Sequence, residues 1–121
     1  MMSISQLLGC ISKQVDGQYI AQYEELTLRS VFQPIYKKDL SIIGLEALVR
    51  ISTADGSMIR PDLFFQSPSI SEHVQLNVER LSRLIHIKTL GNLVTATKSS
   101  FLMCFPELQK CWRRTFHTAI Y

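Results

Sequence analysis

Long apolar runs and clustered cysteines are both missing from this 121-residue chain. No stretch of 18 consecutive apolar residues occurs, so a transmembrane helix is not expected. The N-terminal segment MMSISQLLGCISKQ has no basic start, and Ser and Gln interrupt its apolar residues, which is not typical of a signal peptide. Cys10, Cys104 and Cys111 are too few and too scattered for a disulfide framework or a zinc site. They indicate reduced thiols in a cytoplasmic protein.

The chain also lacks a large excess of charge of either sign. The net charge is +3 and the basic residues are spread along the chain, so neither a nucleic-acid polymer nor a membrane is an expected partner. The most basic segment is the tail, with Lys110, Arg113 and Arg114, which we interpret as solvated. His73 and His86 do not have the i, i+4 spacing of a helical metal site. The composition, 46% hydrophobic and 19% charged, suits one ordinary domain with a core.

Hydrophobic periodicity predicts an N-terminal helix followed by a β-hairpin. The helix is predicted from apolar residues at helical spacing, namely Ile4, Leu7, Leu8, Ile11 and Val15, with Gly17 as its stop. Two apolar runs, Val31–Tyr36 and Ser41–Ile51, flank a polar turn and predict an antiparallel hairpin. Pro34 favours an edge or an end of the first strand. The second run is rich in Ile, Val and Leu, which is typical of a strand buried on both faces.

A long helix and a further strand complete the predicted order. Ser69 and Glu72 have the spacing of a capping box before an apolar stripe, and Gly91 is expected to weaken or end that helix. The apolar run Phe101–Phe105 predicts another buried strand. The order helix, strand, strand, helix, strand suits an α/β layer.

Glu46 stands out because it interrupts the apolar run IIGLEALVRI. A buried carboxylate costs several kcal/mol unless it is compensated. The simplest interpretation is a strand-end glutamate that reaches water or pairs with Arg50. The two residues share one face of a strand, but their backbones lie about 13 Å apart, which is too far for an easy direct pair. They could instead contact one ligand that carries both a metal ion and a phosphate.

Several motifs around Glu46 resemble the EAL-domain family, the bacterial cyclic di-GMP phosphodiesterases. The sequence FQPI occupies Phe32–Ile35, and GLEALVR occupies Gly44–Arg50. The later segment DGSMIRPDLFF is similar to the family's pattern through Gly56, Ile59, Pro61 and Phe64. The likeness covers roughly residues 22–108. Its specific part is the pair of motifs, in order, on either side of a turn.

The resemblance implies a fold and a set of site residues. Family members form a modified TIM (β/α) barrel whose first strand is antiparallel, so we expect roughly the first half of such a barrel. The family uses two Mg²⁺ or Mn²⁺ ions to convert cyclic di-GMP to pGpG. By resemblance, Glu46 is a metal ligand, Gln33 contacts a guanine, Arg50 contacts a phosphate and Leu48 lines the nucleotide groove. Met103 takes the position of the family's metal-ligating asparagine, and a thioether is a poor ligand for these hard cations.

The rest of the family's acidic ligands and its catalytic lysine have no counterpart in this sequence, because nothing after Glu107 is acidic. A full barrel takes about 250 residues. We therefore expect a truncated EAL-type chain without phosphodiesterase activity, organised as an N-terminal lead-in (1–21), a partial EAL domain (22–108) and a divergent basic tail (109–121). An alternative is a non-catalytic module that binds proteins or senses cyclic di-GMP. Half a groove should bind the dinucleotide weakly, and an open sheet edge favours a protein partner or self-association.

Overall fold

The computed structural model describes the backbone of residues 2–97 and the side chains as far as residue 92. Three helices and five strands are present in this part of the chain. They are α1 (Ile4–Gly9), β1 (Ile11–Lys13), β2 (Tyr19–Tyr23), β3 (Leu26–Tyr36), β4 (Ile42–Ser52), β5 (Met58–Ile59), α2 (Pro61–Gln66) and α3 (Glu72–Thr97). None of these helices is both long and apolar enough to span a membrane.

The five strands form one open sheet in which neighbours along the chain are neighbours in space. The order is β1-β2-β3-β4-β5, and each adjacent pair is antiparallel. The expected partial TIM barrel is therefore wrong. A TIM barrel is built from parallel strands joined by helical crossovers, whereas short turns that reverse the chain join all of these strands. The predicted hairpin is confirmed, because β3 and β4 pair along most of their length.

Three of the four hairpin turns have the same hydrogen-bonded form. They span Gln14–Gln18, Lys37–Ser41 and Thr53–Ser57. In each turn the first N–H donates to the last carbonyl, and the fourth N–H donates back to the first carbonyl. An aspartate at the third position accepts from the N–H two residues on; these are Asp16, Asp39 and Asp55. The fourth residue has a positive φ, which suits Gly17 and Gly56, but the hairpin between β3 and β4 has Leu40 there with φ 67°.

One face of the sheet carries the hydrophobic core, and α3 packs on that face against β2, β3 and β4. The core residues are Leu7, Ala21, Leu28, Val49, Ile51, Phe64, Val78, Leu81 and Ile85. Polar contacts fix the helix at both ends of its path over the sheet. The Thr89 hydroxyl accepts from the Tyr19 N–H at 3.0 Å, and the Asn77 amide donates to the Tyr23 hydroxyl at 3.2 Å.

Several boundaries differ from the sequence prediction. The N-terminal helix ends at Gly9, and Ile11 already belongs to a strand. The β4 strand is not buried on both faces, because Val49 and Ile51 are buried whereas Glu46 is exposed. The α3 helix is capped by the Ser71 hydroxyl, which accepts from the Val74 N–H, and not by Ser69.

The long helix also continues past Gly91 to Thr97. The predicted strand Phe101–Phe105 lies outside the described residues. The segments on either side of the expected boundary at residues 21 and 22 contribute to one sheet, because β2 crosses that position.

Candidate functional site

The pairing of β3 with β4 brings the four predicted ligand-contact residues onto one sheet face. Gln33 lies directly opposite Glu46, and Leu48 and Arg50 follow on the same side of β4. On β3, Val31 lies opposite Leu48, and Arg29 lies opposite Arg50. We call this surface the hairpin face; it consists of Arg29, Val31, Gln33, Glu46, Leu48 and Arg50. It points away from α3, because Val49 and Ile51, which alternate with these residues, lie in the core.

A single irregularity in the hairpin sets this arrangement. Near the turn, Tyr36 pairs with Ile42, but the next residue of β3, Ile35, pairs with Gly44. Ile43 is therefore an extra residue in β4, a β-bulge, and it shifts the register of every later pair by one. Without it Glu46 would be opposite Phe32 and would share the face of the core. With it, Glu46 stands beside Gln33.

The hairpin face is open to solvent and unevenly polar. Arg29, Gln33 and Glu46 are exposed, whereas Arg50, Leu48 and Val31 are half-buried. Salt bridges in the described part of the chain join Arg60 to Asp62 and Arg83 to Glu79, so the charged groups of the hairpin face are not ion-paired there. The face thus offers two guanidinium groups, an apolar centre and an amide next to a carboxylate.

Pro34 lies where the sequence predicted it, on a strand edge. The pairing of β2 with β3 stops at Leu28, so within residues 2–97 no strand pairs with that side of β3 around position 34. The outer part of the hairpin projects beyond the rest of the sheet. Its exposed apolar residues include Ile35, Tyr36, Leu40 and Ile43.

The donors on the hairpin face do not fit a centre for two divalent cations. Mg²⁺ and Mn²⁺ prefer oxygen ligands, and a two-metal site needs several carboxylates around the ions. The hairpin face has only Glu46, and residues 2–97 contain no group of three His, Cys, Asp or Glu side chains that could hold a metal ion. Met103, the residue at the second expected ligand position, lies outside the described residues.

A second polar cluster lies on the other side of the sheet, under α3. The Ser30 hydroxyl and Nδ1 of His86 are 2.7 Å apart and share a hydrogen bond, and the edge of the Phe32 ring meets the imidazole with 6.2 Å between ring centroids. Burial lowers the pKa of His86 from 6.5 to about 4, so the imidazole is neutral at pH 7. No carboxylate orients it within the described residues, and Ser30 is buried. The pair is a contact between α3 and β3.

Sequence reasoning missed Arg29, which the register places directly across from Arg50. It lies four residues before Gln33 and outside the FQPI motif. The signal that could have found it is the hairpin itself, since counting outward from the turn pairs positions 29 and 50 once the bulge is allowed for.

No family model, curated protein or solved structure matches this chain. The likeness to EAL domains therefore depends on the FQPI and GLEALVR motifs themselves. The hairpin face is the surface on which those motifs meet.

Proposed function

We propose that this chain is a cyclic di-GMP-binding module of bacterial signalling, related to EAL domains, that binds the dinucleotide without hydrolysing it. One observation carries the proposal. The register of β3 with β4 places four residues of the two EAL-type motifs on one sheet face, where Gln33 and Glu46 are exposed and Leu48 and Arg50 are half-buried.

The chemistry of this face complements the parts of cyclic di-GMP. The guanidinium of Arg50 suits a phosphodiester, because its planar N–H groups donate two charge-assisted hydrogen bonds to phosphate oxygens. The Gln33 amide can donate to and accept from a guanine edge. Leu48 supplies apolar surface between the two polar ends. Because the face is open and shallow, we expect micromolar affinity and not the tighter binding of an enclosed pocket.

The absence of hydrolysis is proposed from the donor set. Two-metal hydrolysis requires cations on both the attacking and the leaving oxygen. Glu46 is the one carboxylate of the hairpin face, and one carboxylate does not hold two such ions. We place this binding function in the cytoplasm, in keeping with Cys10, which forms no disulfide within the described part of the chain.

Calorimetric titration of cyclic di-GMP into the purified full chain tests the binding proposal. We expect a micromolar Kd for the wild type, and Arg50→Ala should weaken binding at least tenfold because it removes the phosphate contact. The matched control is Arg83→Ala, which removes an exposed arginine on α3. No binding by a folded wild-type sample, or equal losses in both variants, would rule the proposal out.

Chromatography of the nucleotide after prolonged incubation with Mn²⁺ tests the second half of the proposal. Cyclic di-GMP should remain intact in this incubation. In the calorimetric titration, the Kd measured with a chelator should differ from the Kd measured with Mg²⁺ by less than about twofold. Formation of pGpG by the purified chain would show that the hairpin face is part of a working phosphodiesterase.

A further inference from the structure

The sheet places two arginines directly opposite each other, and neither has an acidic partner among the described residues. In an antiparallel pair, opposite Cβ atoms are about 4.5–5.5 Å apart, and like charges at such positions are unfavourable. Arg29 and Arg50 have this relation, and neither belongs to a salt bridge in the described part of the chain. Arg50 is half-buried, so water screens its charge less than it screens that of a fully exposed arginine. An anion between the two guanidinium groups would remove the repulsion.

The opposite end of the hairpin face carries a carboxylate next to an amide. Glu46 and Gln33 are a directly opposed pair, and on the hairpin face one pair, Val31 with Leu48, lies between them and the arginines. Guanine presents two N–H donors, at N1 and N2, beside the O6 acceptor. A carboxylate accepts both N–H groups, and a neighbouring amide N–H can donate to O6. Adenine presents an acceptor at N1 and would point it at the carboxylate.

From these two pairs we propose that the hairpin face is a subsite for one guanine nucleotide. Arg29 and Arg50 together hold the phosphate, and Glu46 with Gln33 reads the guanine edge. The inference deepens the proposed function and depends on it for the choice of cyclic di-GMP as a ligand. It adds Arg29 to the site and gives Glu46 a role in base recognition instead of metal binding.

The spacing of the two ends suits this assignment. Arg50 lies four positions after Glu46 in β4, so their backbones are about 13 Å apart. Arginine, glutamate and glutamine are long side chains that can lean toward each other over the face. Val31 and Leu48 form the pair between the two ends, and they offer an apolar floor to the sugar and base.

The test compares nucleotides and variants in equilibrium titrations at one ionic strength. The guanine ligands are cyclic di-GMP, pGpG and GMP, and the adenine ligands are cyclic di-AMP and AMP. Arg29→Ala should raise the Kd of every guanine ligand at least tenfold, while Arg83→Ala should change these Kd values less than twofold. Glu46→Gln should lower the preference for guanine over adenine at least tenfold, whereas Arg29→Ala should leave that ratio unchanged.

A stability measurement separates binding from folding. Because Arg29 faces a like charge, Arg29→Ala should raise the urea midpoint of the ligand-free protein, although it lowers the affinity for guanine nucleotides. Opposite signs in the two assays are not expected of a residue that only supports the fold.

The outcomes distinguish the inference from the proposed function. If cyclic di-GMP binds and Arg29→Ala binds it as the wild type does, the inference is wrong and the proposed function stands. If GMP or pGpG binds in an Arg29-dependent way and cyclic di-GMP does not, the subsite stands and the proposed ligand is wrong. If no guanine nucleotide binds to folded protein, both are wrong.

Discussion

Leu40 occupies a backbone conformation that suits glycine, and Leu40→Gly should stabilise the protein. The residue has φ 67° at the fourth position of the turn between β3 and β4. The two other turns of the same form have glycine at this position, with φ 85° at Gly17 and 87° at Gly56. The Leu40 side chain is 79% exposed, so removing it loses almost no packing.

The size of the effect follows from two opposing terms. A left-handed conformation costs a residue with a Cβ about 1–2 kcal/mol. Glycine loses more conformational freedom on folding than leucine does. This entropic cost of about 0.5–1 kcal/mol offsets part of the strain that the substitution relieves. We therefore expect Leu40→Gly to raise the free energy of unfolding by about 0.5–1 kcal/mol. The assay is urea unfolding, in which the midpoint should rise while the slope stays constant.

The reciprocal substitution provides the matched control. Gly56→Leu introduces the same side chain into the same turn form, and a Cβ at Gly56 would meet no atom within 4 Å. It should destabilise the protein by a similar amount through backbone strain alone. Gly17 is not suitable, because a Cβ there would lie 2.7 Å from the Asn92 amide nitrogen. A lower midpoint for Leu40→Gly, or no loss for Gly56→Leu, would refute the reasoning.

Two further predictions concern His86 and the outer part of the hairpin. Burial lowers the pKa of His86 from 6.5 to about 4, so protonation opposes folding, and stability should fall as the pH drops through this interval. Because His86 is only partly buried, solvent screening leaves a loss of about 1–2 kcal/mol, to be measured by urea unfolding at several pH values, and His86→Gln should remove the slope. Ile43 is exposed in β4. The edge of β4 that faces away from β3 pairs with β5 only at Ile51 and Ser52, so from Ile42 to Arg50 no strand within residues 2–97 pairs with it. Ile43→Lys should lower self-association in light scattering, and an unchanged mass would contradict pairing through this edge.

The central hairpin could be predicted from the sequence, but its register could not. Two apolar runs on either side of a polar turn define β3 and β4 in outline. The N–H of Lys37 donates to the carbonyl of Ser41, and counting from this pair alone would put Gln33 opposite Leu45. The bulge at Ile43 changes that count by one and reverses which face each later residue occupies. Gly44 in the run IIGL is typical of a bulge, because isolated glycines inside strands often mark one, but it does not indicate which residue is extra.

The N-terminal part shows why the fold class was predicted wrongly. Gly17 is a plausible helix stop, but it lies with Asp16 in a hairpin turn of the same form as the one that contains Asp55 and Gly56. Apolar residues before it are compatible with either structure over so short a run. The β2 strand is too mixed in character for a period of two to be evident, yet it pairs with both β1 and β3. An antiparallel sheet with these two strands cannot be the start of a parallel barrel.

The carboxylate in the apolar run needs no metal ion to explain its presence. Glu46 is exposed, so the cost of burying a charge does not arise, and its neighbours Leu45 and Ala47 alternate onto the other face of the sheet. What remains unusual is the distribution of charge around it. The hairpin pairs arginine with arginine and places the only carboxylate of the face two pairs away, next to an amide. A face evolved only for solubility would gain from bringing opposite charges together, so their separation favours a ligand with an anionic end and a hydrogen-bonding end.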